Sequence, residues 1–215
     1  MTLSVEVAED AHEAVLRVAS LIAEYARDAV EDRATFTLAL SRGAELVARL
    51  GEEELPWPHV TVFQVDERVA PSGHDDRNLT QLHTALPIEA VRPMPVEDLD
   101  LEAAADRYAA GLPERLDLVH LGLGVDGHTA SLVPGDPVLD VRDRLVAVTR
   151  EYEGRRRMTL TYPALDAARE IVWLVTGESK RDPLSRLLAG DLSIPAARVN
   201  NVHQRVVLDR AADPR

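Results

Sequence analysis

The sequence predicts an α/β fold built on a single doubly wound, mostly parallel sheet with helices on both faces. Three observations support this prediction. Apolar runs typical of strands alternate with helical stripes, glycine-rich turns follow several of the strands, and 46% of the 215 residues are hydrophobic. One α/β domain commonly reaches this length, so residues 1–215 are interpreted as one domain.

The N-terminal half of the chain alternates between the two kinds of element. Residues 2–7 alternate like a strand, and Asp10 with Glu13 resembles a capping box that begins a helix. The apolar positions of that helix recur at helical spacing: Ala14, Val15, Val18, Leu21, Ile22 and Tyr25. Further elements are predicted as strands at 35–40 and 59–65 and as helices at 44–50, through Leu79, Leu82 and Leu86, and at 99–110.

The C-terminal half continues the alternation. A strand is predicted at 116–121, and the glycine-rich segment after it ends in a pattern typical of a helix start. The remaining predictions are strands at 145–149, 157–161, 170–175 and 206–208 and a helix at 179–189. Strands that alternate with helices favour right-handed βαβ units, and therefore a mostly parallel sheet.

Composition excludes several classes of function. The net charge of −13 disfavours nucleic acid as a partner. The absence of cysteine excludes disulfides, thiolate catalysis and cysteine zinc sites, and it fits a reducing cytoplasm. The acidic N-terminus lacks the layout of a signal peptide, and no apolar run approaches the ~18 residues of a membrane span. We therefore expect a soluble cytoplasmic protein without a membrane partner.

The basic residues are almost all arginine. Of the 24 basic residues, 23 are arginine, and Lys180 is the single lysine. Codon bias toward arginine would explain this pattern. A requirement for a compact ammonium group at this position would explain it equally well.

The segment Gly122–Gly135 carries the strongest signal for chemistry. It follows a predicted strand, and the carboxyl ends of parallel strands are where α/β proteins bind ligands. Within it, Asp126 stands two residues before His128, the side-chain type that titrates near neutral pH. This spacing predicts a catalytic acid/base pair, although Asp126 would equally serve as a cap of the turn.

Two other strand ends are candidates for anion binding. Ser41, Arg42 and Gly43 lie between a predicted strand and a predicted helix, where backbone N–H groups can bind an anion. The second candidate, after the strand at 59–65, adds arginines suited to bidentate recognition of phosphate, and comprises Asp66, Glu67, Arg68, Arg77 and Asn78. An ordinary turn and a solvated charged loop are the alternatives.

The glycine-rich segment with Asp126 and His128 resembles the signature loop of the 6-phosphogluconolactonases. Three further segments resemble that family in the same order: 63–68 (Phe-Gln-Val-Asp-Glu-Arg), 157–161 (Arg-Met-Thr-Leu-Thr, followed by Pro163) and 175–180 (Val-Thr-Gly-Glu-Ser-Lys). The resemblance runs from about residue 35 to residue 200. It implies the modified Rossmann-like fold that the family shares with glucosamine-6-phosphate deaminases and ribose-5-phosphate isomerases.

The resemblance also implies an activity, the hydrolysis of 6-phospho-D-glucono-1,5-lactone in the oxidative pentose phosphate pathway. His128 would be the general base, and Asp126 would orient it. Lys180 and Arg68 would lie near the substrate phosphate. Arg77, Asn78 and Arg157 would border the same pocket. The implied partner is a small sugar-phosphate lactone bound by a monomer or small homo-oligomer, with no cofactor and no metal.

The chain departs from the family at the first phosphate loop. The family usually has Ser-Gly-Gly-Ser-Thr-Pro there, whereas this chain has Ser41-Arg-Gly-Ala-Glu-Leu46. Gly43 is retained, but Arg42 replaces the first glycine and its Cβ restricts the turn. Two hydroxyl donors are lost, and Glu45 would add a like charge if it faced the site. A bidentate contact from Arg42 would compensate for these losses.

Two alternatives remain open. A deaminase or isomerase on the same fold would also use Asp66 and the Asp-Gly-His loop, but it would need a glutamate five residues after His128. This chain has Val133 there. A non-catalytic sugar-phosphate-binding homologue is the second alternative, and the altered loop at Arg42 is what keeps it open.

Overall fold

A computed structural model describes residues 2–215 and shows two sheets. The strands of this part of the chain are β1 Thr2–Ala8, β2 Phe36–Leu40, β3 Val60–Gln64, β4 Asp66–Arg68, β5 Val91–Arg92, β6 Leu118–Leu121, β7 Val146–Val148, β8 Arg157–Leu160, β9 Glu170–Val175 and β10 His203–Asp209. The main sheet has seven strands in the order β1-β10-β9-β6-β2-β3-β5, and every pairing in it is parallel.

The helices connect these strands, as the alternating sequence pattern predicts. They are α1 Ala11–Arg33, α2 Ala44–Glu52, α3 Asn78–Leu82, α4 Leu101–Ala110, α5 Tyr162–Ala167 and α6 Arg181–Leu188. The predicted cap of α1 is confirmed, because the Asp10 side chain accepts the N–H of Glu13. Within residues 2–215, no helix combines the length and apolar character needed to cross a membrane.

The main sheet buries apolar side chains on both of its faces. Leu38 and Leu40 belong to one hydrophobic core, whereas Ala39 between them belongs to the other. Val172 and its neighbour Trp173 alternate in the same way. This period of two follows from the strand geometry, which turns successive side chains to opposite faces. The predicted doubly wound architecture is thereby confirmed.

The second sheet extends the prediction. It is antiparallel, has three strands and follows the order β4-β8-β7. The sequence predicts β7 and β8 as strands, but β4 is too short to be recognised. Because β4 follows β3 after one residue, it projects from the main sheet and pairs Asp66 with Thr159 and Arg68 with Arg157. This pairing brings two distant sequence motifs together.

The helix start predicted after His128 is wrong. Residues 129–135 form turns, in which Ala130 has a left-handed φ of 53° and Thr129 bridges Leu132. A short 3₁₀ turn at Pro137–Asp140 follows. The predicted helix through Leu86 is also shorter than expected, since α3 ends at Leu82.

A histidine lies in the middle of the main sheet. His120 on β6 pairs with Leu40 on one side and Val172 on the other, and its side chain is buried. Neither ring nitrogen has a hydrogen-bond partner within residues 2–215. Burial lowers the pKa of His120 from 6.5 to about 4, because the charged imidazolium would lose its hydration.

We expect His120 to make stability depend on pH. Between pH 6.5 and 4 the unfolded chain binds a proton at His120 that the folded chain does not bind. The free energy of unfolding therefore decreases as the pH is lowered through this window. The loss is about 1.4 kcal/mol per pH unit, or roughly 3 kcal/mol in all. Urea titrations from pH 7 to pH 4 measure it.

The matched variant is His120→Leu, which places an apolar side chain that cannot titrate at this buried position. Other groups contribute equally to both proteins, so the difference between the two pH curves isolates His120. The variant is expected to lose less stability at low pH. Parallel curves would show that the buried imidazole is not the source.

Candidate active site

The loop after β6 holds Asp126 and His128 against each other. Nδ1 of His128 lies 2.6 Å from Oδ1 of Asp126, and the backbone N–H of His128 donates to the same oxygen at 3.1 Å. Because a carboxylate only accepts hydrogen bonds, we place the ring proton on Nδ1. The lone pair then resides on Nε2, the nitrogen suited to act as a base.

Two glycines make this arrangement possible. A Cβ on Gly124 would lie 2.2 Å from Nδ1 of His128 and 2.7 Å from Oδ1 of Asp126, so any side chain there would displace the pair. Gly127 has a φ of +82°, and a Cβ on it would lie 2.5 Å from Cβ of Ile194. The glycines therefore serve close packing around the catalytic candidates as well as the turn.

A tyrosine that the sequence analysis does not single out completes the group. The Tyr152 hydroxyl donates to Oδ2 of Asp126 at 3.2 Å. Burial would raise the pKa of Asp126, but the hydrogen bonds from the backbone and ring of His128 and from Tyr152 outweigh it, and the pKa lies below its ordinary value. Asp126 is therefore a carboxylate at neutral pH.

His128 lines a cleft of about 370 Å³, whereas Asp126 contacts the His128 ring without lining the cleft itself. This volume falls within the roughly 300–1,000 Å³ typical of small-molecule sites. The cleft brings together seven of the candidate residues: Ser41, Arg42, Asp66, Arg68, His128, Arg157 and Lys180. A larger cavity of about 680 Å³ lies along β7, but no histidine lines it. The cleft is therefore the better candidate for acid/base chemistry.

Positive charge is concentrated in the cleft of a protein whose net charge is −13. Burial lowers the pKa of Arg68, partly offset by Asp66, and Arg157 and Arg42 lower it further. Burial likewise lowers the pKa of Lys180, which Asp126 partly offsets. Burial is the main cause of both shifts, and at Arg68 the repulsion by the neighbouring arginines adds to it. A bound anion would relieve that repulsion.

The altered phosphate loop is accommodated without backbone strain. Arg42 does not have a left-handed φ. In the amide orientation that satisfies both groups, Gln81 accepts from Nε and Nη2 of Arg42 at 3.1 and 3.2 Å. Glu45 contacts His12, with Oε1 3.0 Å from Nδ1, so it is engaged away from the cleft. Gly43 precedes the first turn of α2 and does not line the cleft.

Arg77 and Asn78 lie outside the cleft, contrary to the expectation that they border it. Nε of Arg77 lies 3.1 Å from Oε2 of Glu67, and both side chains are buried. Asn78 donates its side-chain amide to the backbone oxygen of Asp66 at 2.8 Å and to its Oδ1 at 3.2 Å. Asn78 therefore holds Asp66, which lines the cleft, and Arg77 pairs with the adjacent Glu67.

Asp66 is a buried carboxylate on the cleft wall. It accepts a hydrogen bond from the Ser131 hydroxyl at 2.6 Å in addition to those from Asn78. Within residues 2–215, no group of three or more histidine, aspartate or glutamate side chains is arranged to hold a metal ion. The cleft thus offers acid/base groups and cations.

Comparison with known proteins identifies the family. Residues 9–208 match the family described as glucosamine-6-phosphate isomerases/6-phosphogluconolactonase. This chain belongs to that family. A 6-phosphogluconolactonase from Nostoc is 34% identical over 91% of this chain and 90% of its own length. One from Synechocystis is 37% identical over 75% of each chain.

Solved structures agree. The 6-phosphogluconolactonase of Thermotoga maritima is 25% identical and superposes with a TM-score of 0.86 over 97% of this chain and 99% of its own. A monomeric glucosamine-6-phosphate deaminase superposes with a TM-score of 0.82 at 20% identity, over 97% and 98%, which shows a shared fold alone. The predicted fold, the family resemblance and the expectation of a lactone-hydrolysing enzyme are confirmed.

Proposed function

We propose that this chain hydrolyses 6-phospho-D-glucono-1,5-lactone to 6-phospho-D-gluconate, as a step of the oxidative pentose phosphate pathway. The observation that carries the proposal is the Asp126–His128 pair at the border of a cleft with four cationic side chains. The names of the relatives that cover most of the chain support it.

His128 acts as the general base in the proposed mechanism. Nε2 removes a proton from water as the water oxygen attacks the lactone carbonyl carbon, C1. The resulting tetrahedral oxyanion collapses, and the bond from C1 to the ring oxygen breaks. The imidazolium returns its proton to the departing ring oxygen, so His128 ends the cycle neutral.

Asp126 assists without exchanging a proton with the substrate. Its Oδ1 holds Nδ1 of His128, which orients the ring and stabilises the positive charge that the ring gains during attack. Its ionised state at neutral pH, favoured by the hydrogen bonds it accepts, suits this role.

The cationic side of the cleft binds the phosphate. Arg42, Arg68 and Arg157 offer planar donors that match phosphate oxygens, and Lys180 adds an ammonium group. Gln81 holds the Arg42 guanidinium from the side of α3. We propose that the Arg42 side chain replaces the hydrogen-bond donors that the glycine-serine loop supplies elsewhere in the family.

The deaminase alternative lacks a key group. A deaminase would need a glutamate five residues after His128, but this chain has Val133 there, which is buried and apolar. An apolar side chain cannot transfer the proton that opens the sugar ring. The other alternative, a binding-only role, is less well supported, because a protein that only binds a ligand does not need the Asp126–His128 acid/base pair.

The proposal is tested by the rate of hydrolysis of freshly prepared 6-phosphogluconolactone, with the spontaneous rate subtracted. We expect catalysis, with much lower kcat/KM for the lactone that lacks phosphate. Ammonia release from glucosamine 6-phosphate, measured in parallel, tests the deaminase alternative. A lactone rate no faster than background would refute the proposal and favour a binding-only role.

We expect the Arg42→Gly and Arg42→Gln variants to raise KM for the phosphorylated lactone by about 10–100-fold, with a small change in kcat. A charge-assisted hydrogen bond contributes about 1.5–3 kcal/mol, and both variants lose it. Arg42→Gly restores the family's loop residue, whereas Arg42→Gln keeps a polar side chain but removes the charged guanidinium. Steady-state kinetics measures both. A lower KM for Arg42→Gly would show that Arg42 obstructs phosphate binding.

A further inference from the structure

A tight turn places one tyrosine between the acid/base pair and an arginine of the cleft. Tyr152 and Arg155 exchange backbone hydrogen bonds at 2.9 and 3.3 Å. Glu153 and Gly154 between them have φ values of 51° and 76°. Two left-handed residues in a two-residue turn are typical of a tight hairpin, so the direction of the Tyr152 side chain is well defined.

The Tyr152 side chain makes a separate contact on each of its parts. Its hydroxyl donates to Oδ2 of Asp126, the oxygen that His128 leaves free. Its ring packs edge-on against the His128 ring, with 5.7 Å between centroids and an interplanar angle of 67°. The guanidinium of Arg157 lies over the same ring, 4.9 Å from its centroid.

Arg157 is tied to the same turn. Its Nη2 donates to Oε2 of Glu153 at 2.8 Å, and its side chain is buried. Glu153 of this turn therefore supports a cation of the cleft, and Tyr152 supports the acid/base pair. Tyr152 thus contacts both partners of the pair as well as this arginine.

The charged groups around the pair come from several elements. Burial and the charge of Asp126 raise the pKa of Tyr152, so its hydroxyl keeps its proton near neutral pH. Lys180 acts on Asp126 from the segment before α6. The other charged side chains that line the cleft are Arg42, Asp66, Arg68, Glu153 and Arg157.

We propose that Tyr152 is a positioning residue, which fixes the carboxylate of Asp126 so that Oδ1 faces His128, and which links the acid/base pair to the anion-binding Arg157. This deepens the proposed function and rests on it for its kinetic consequences. The effect of Tyr152 on the His128 imidazole does not depend on a substrate, because the contacts of Tyr152 with Asp126 and His128 form within the protein itself.

The first test follows the titration of the His128 ring by NMR in the wild-type protein and in Tyr152→Phe. The variant keeps the ring and removes only the hydroxyl. Without that donor, more of the negative charge of Asp126 acts on the imidazole, so the charged ring is favoured. We expect the midpoint to move upward by about half a pH unit.

A matched control is Tyr25→Phe. Tyr25 is a half-buried tyrosine beside the Glu170 carboxylate, on a different surface of the molecule. This variant is expected to leave the His128 midpoint unchanged. The His128 signal is assigned by its loss in His128→Ala. An unchanged midpoint in Tyr152→Phe would overturn the proposal.

The second test is kinetic. Tyr152→Phe is expected to lower kcat about three- to tenfold, with KM within a factor of two, because the net effect of one hydrogen bond is modest. Tyr152→Leu also removes the ring under Arg157 and is expected to raise KM as well. A higher KM with unchanged kcat in Tyr152→Phe would instead make Tyr152 a substrate contact. If the wild-type protein does not hydrolyse the lactone, the proposed function fails, while the NMR titration still decides the role of Tyr152.

Discussion

Replacing His128 with alanine is expected to lower kcat for the phosphorylated lactone by about 10²–10⁴-fold, with little change in KM. This is the usual contribution of a positioned general base. KM is expected to change little because the cations proposed to bind the phosphate line the cleft independently of His128. Initial rates at saturating substrate, corrected for spontaneous opening of the lactone, measure the effect.

The control for this variant is His83→Ala, which removes an exposed histidine outside the cleft. Asp126→Asn provides an intermediate case, because an amide keeps the shape of the carboxylate but loses its charge. Its kcat is expected to fall between those of the wild-type protein and His128→Ala. A His128→Ala variant that kept a third or more of the wild-type kcat would exclude His128 as the base.

The contact between Asp126 and His128 was predictable because it is local. Asp126 and His128 are two residues apart in one turn, so their proximity does not depend on how distant segments pack. The close contact of both side chains with Gly124 was not predictable, since it depends on the exact path of the loop. The pattern of glycines indicated a tight turn but not what the turn makes room for.

The cleft as a whole depends on pairings that the sequence does not reveal. β4 has three residues, and its antiparallel pairing with β8 brings Arg68 to Arg157. The resemblance to the family associated these two arginines, but periodicity did not. Tyr152 escaped notice because the only local signal of its turn is Glu153-Gly154, a pattern that commonly marks ordinary loops.

The helix predicted after His128 is an error of the other kind, an element that the sequence predicts and the structure lacks. The apolar residues of that segment suggested a helical start, yet Ala130 adopts a left-handed φ and Ser131 donates its hydroxyl to Asp66. A tertiary contact with a buried carboxylate thus competes with local helix propensity. Sequence patterns were reliable where the sheet buries alternate residues, and failed where polar groups from distant segments meet.

Arg77 is the clearest case of a charge whose role burial decides. The Glu67 carboxylate, which Arg77 faces at 3.1 Å, is fully buried and also accepts the backbone N–H groups of Asn78 and Leu79 at 2.8 and 2.9 Å. It therefore caps α3 and anchors that helix to β4. An arginine in the loop after Arg68, together with the family resemblance, suggested a phosphate ligand, but the structure makes Arg77 the counter-ion of this cap.

We therefore expect Arg77→Met to lower the free energy of unfolding by about 3–5 kcal/mol, because it leaves the buried Glu67 without its counter-charge. Arg77→Lys keeps the charge but not the planar group, and is expected to lose less. Urea denaturation measures both. KM of the folded variants is expected to stay within about twofold of the wild-type value, since the side chain lies outside the cleft.

The matched control is Arg107→Met, which breaks the exposed ion pair between Arg107 and Asp98. Exposed pairs contribute about 0–1 kcal/mol, so this variant is expected to be nearly as stable as the wild-type protein. The contrast between the two variants measures the effect of burial on one kind of ion pair. If Arg77→Met retained its stability and instead raised KM for the phosphorylated lactone tenfold or more, Arg77 would be a substrate ligand after all, and the cleft would have to extend behind β4.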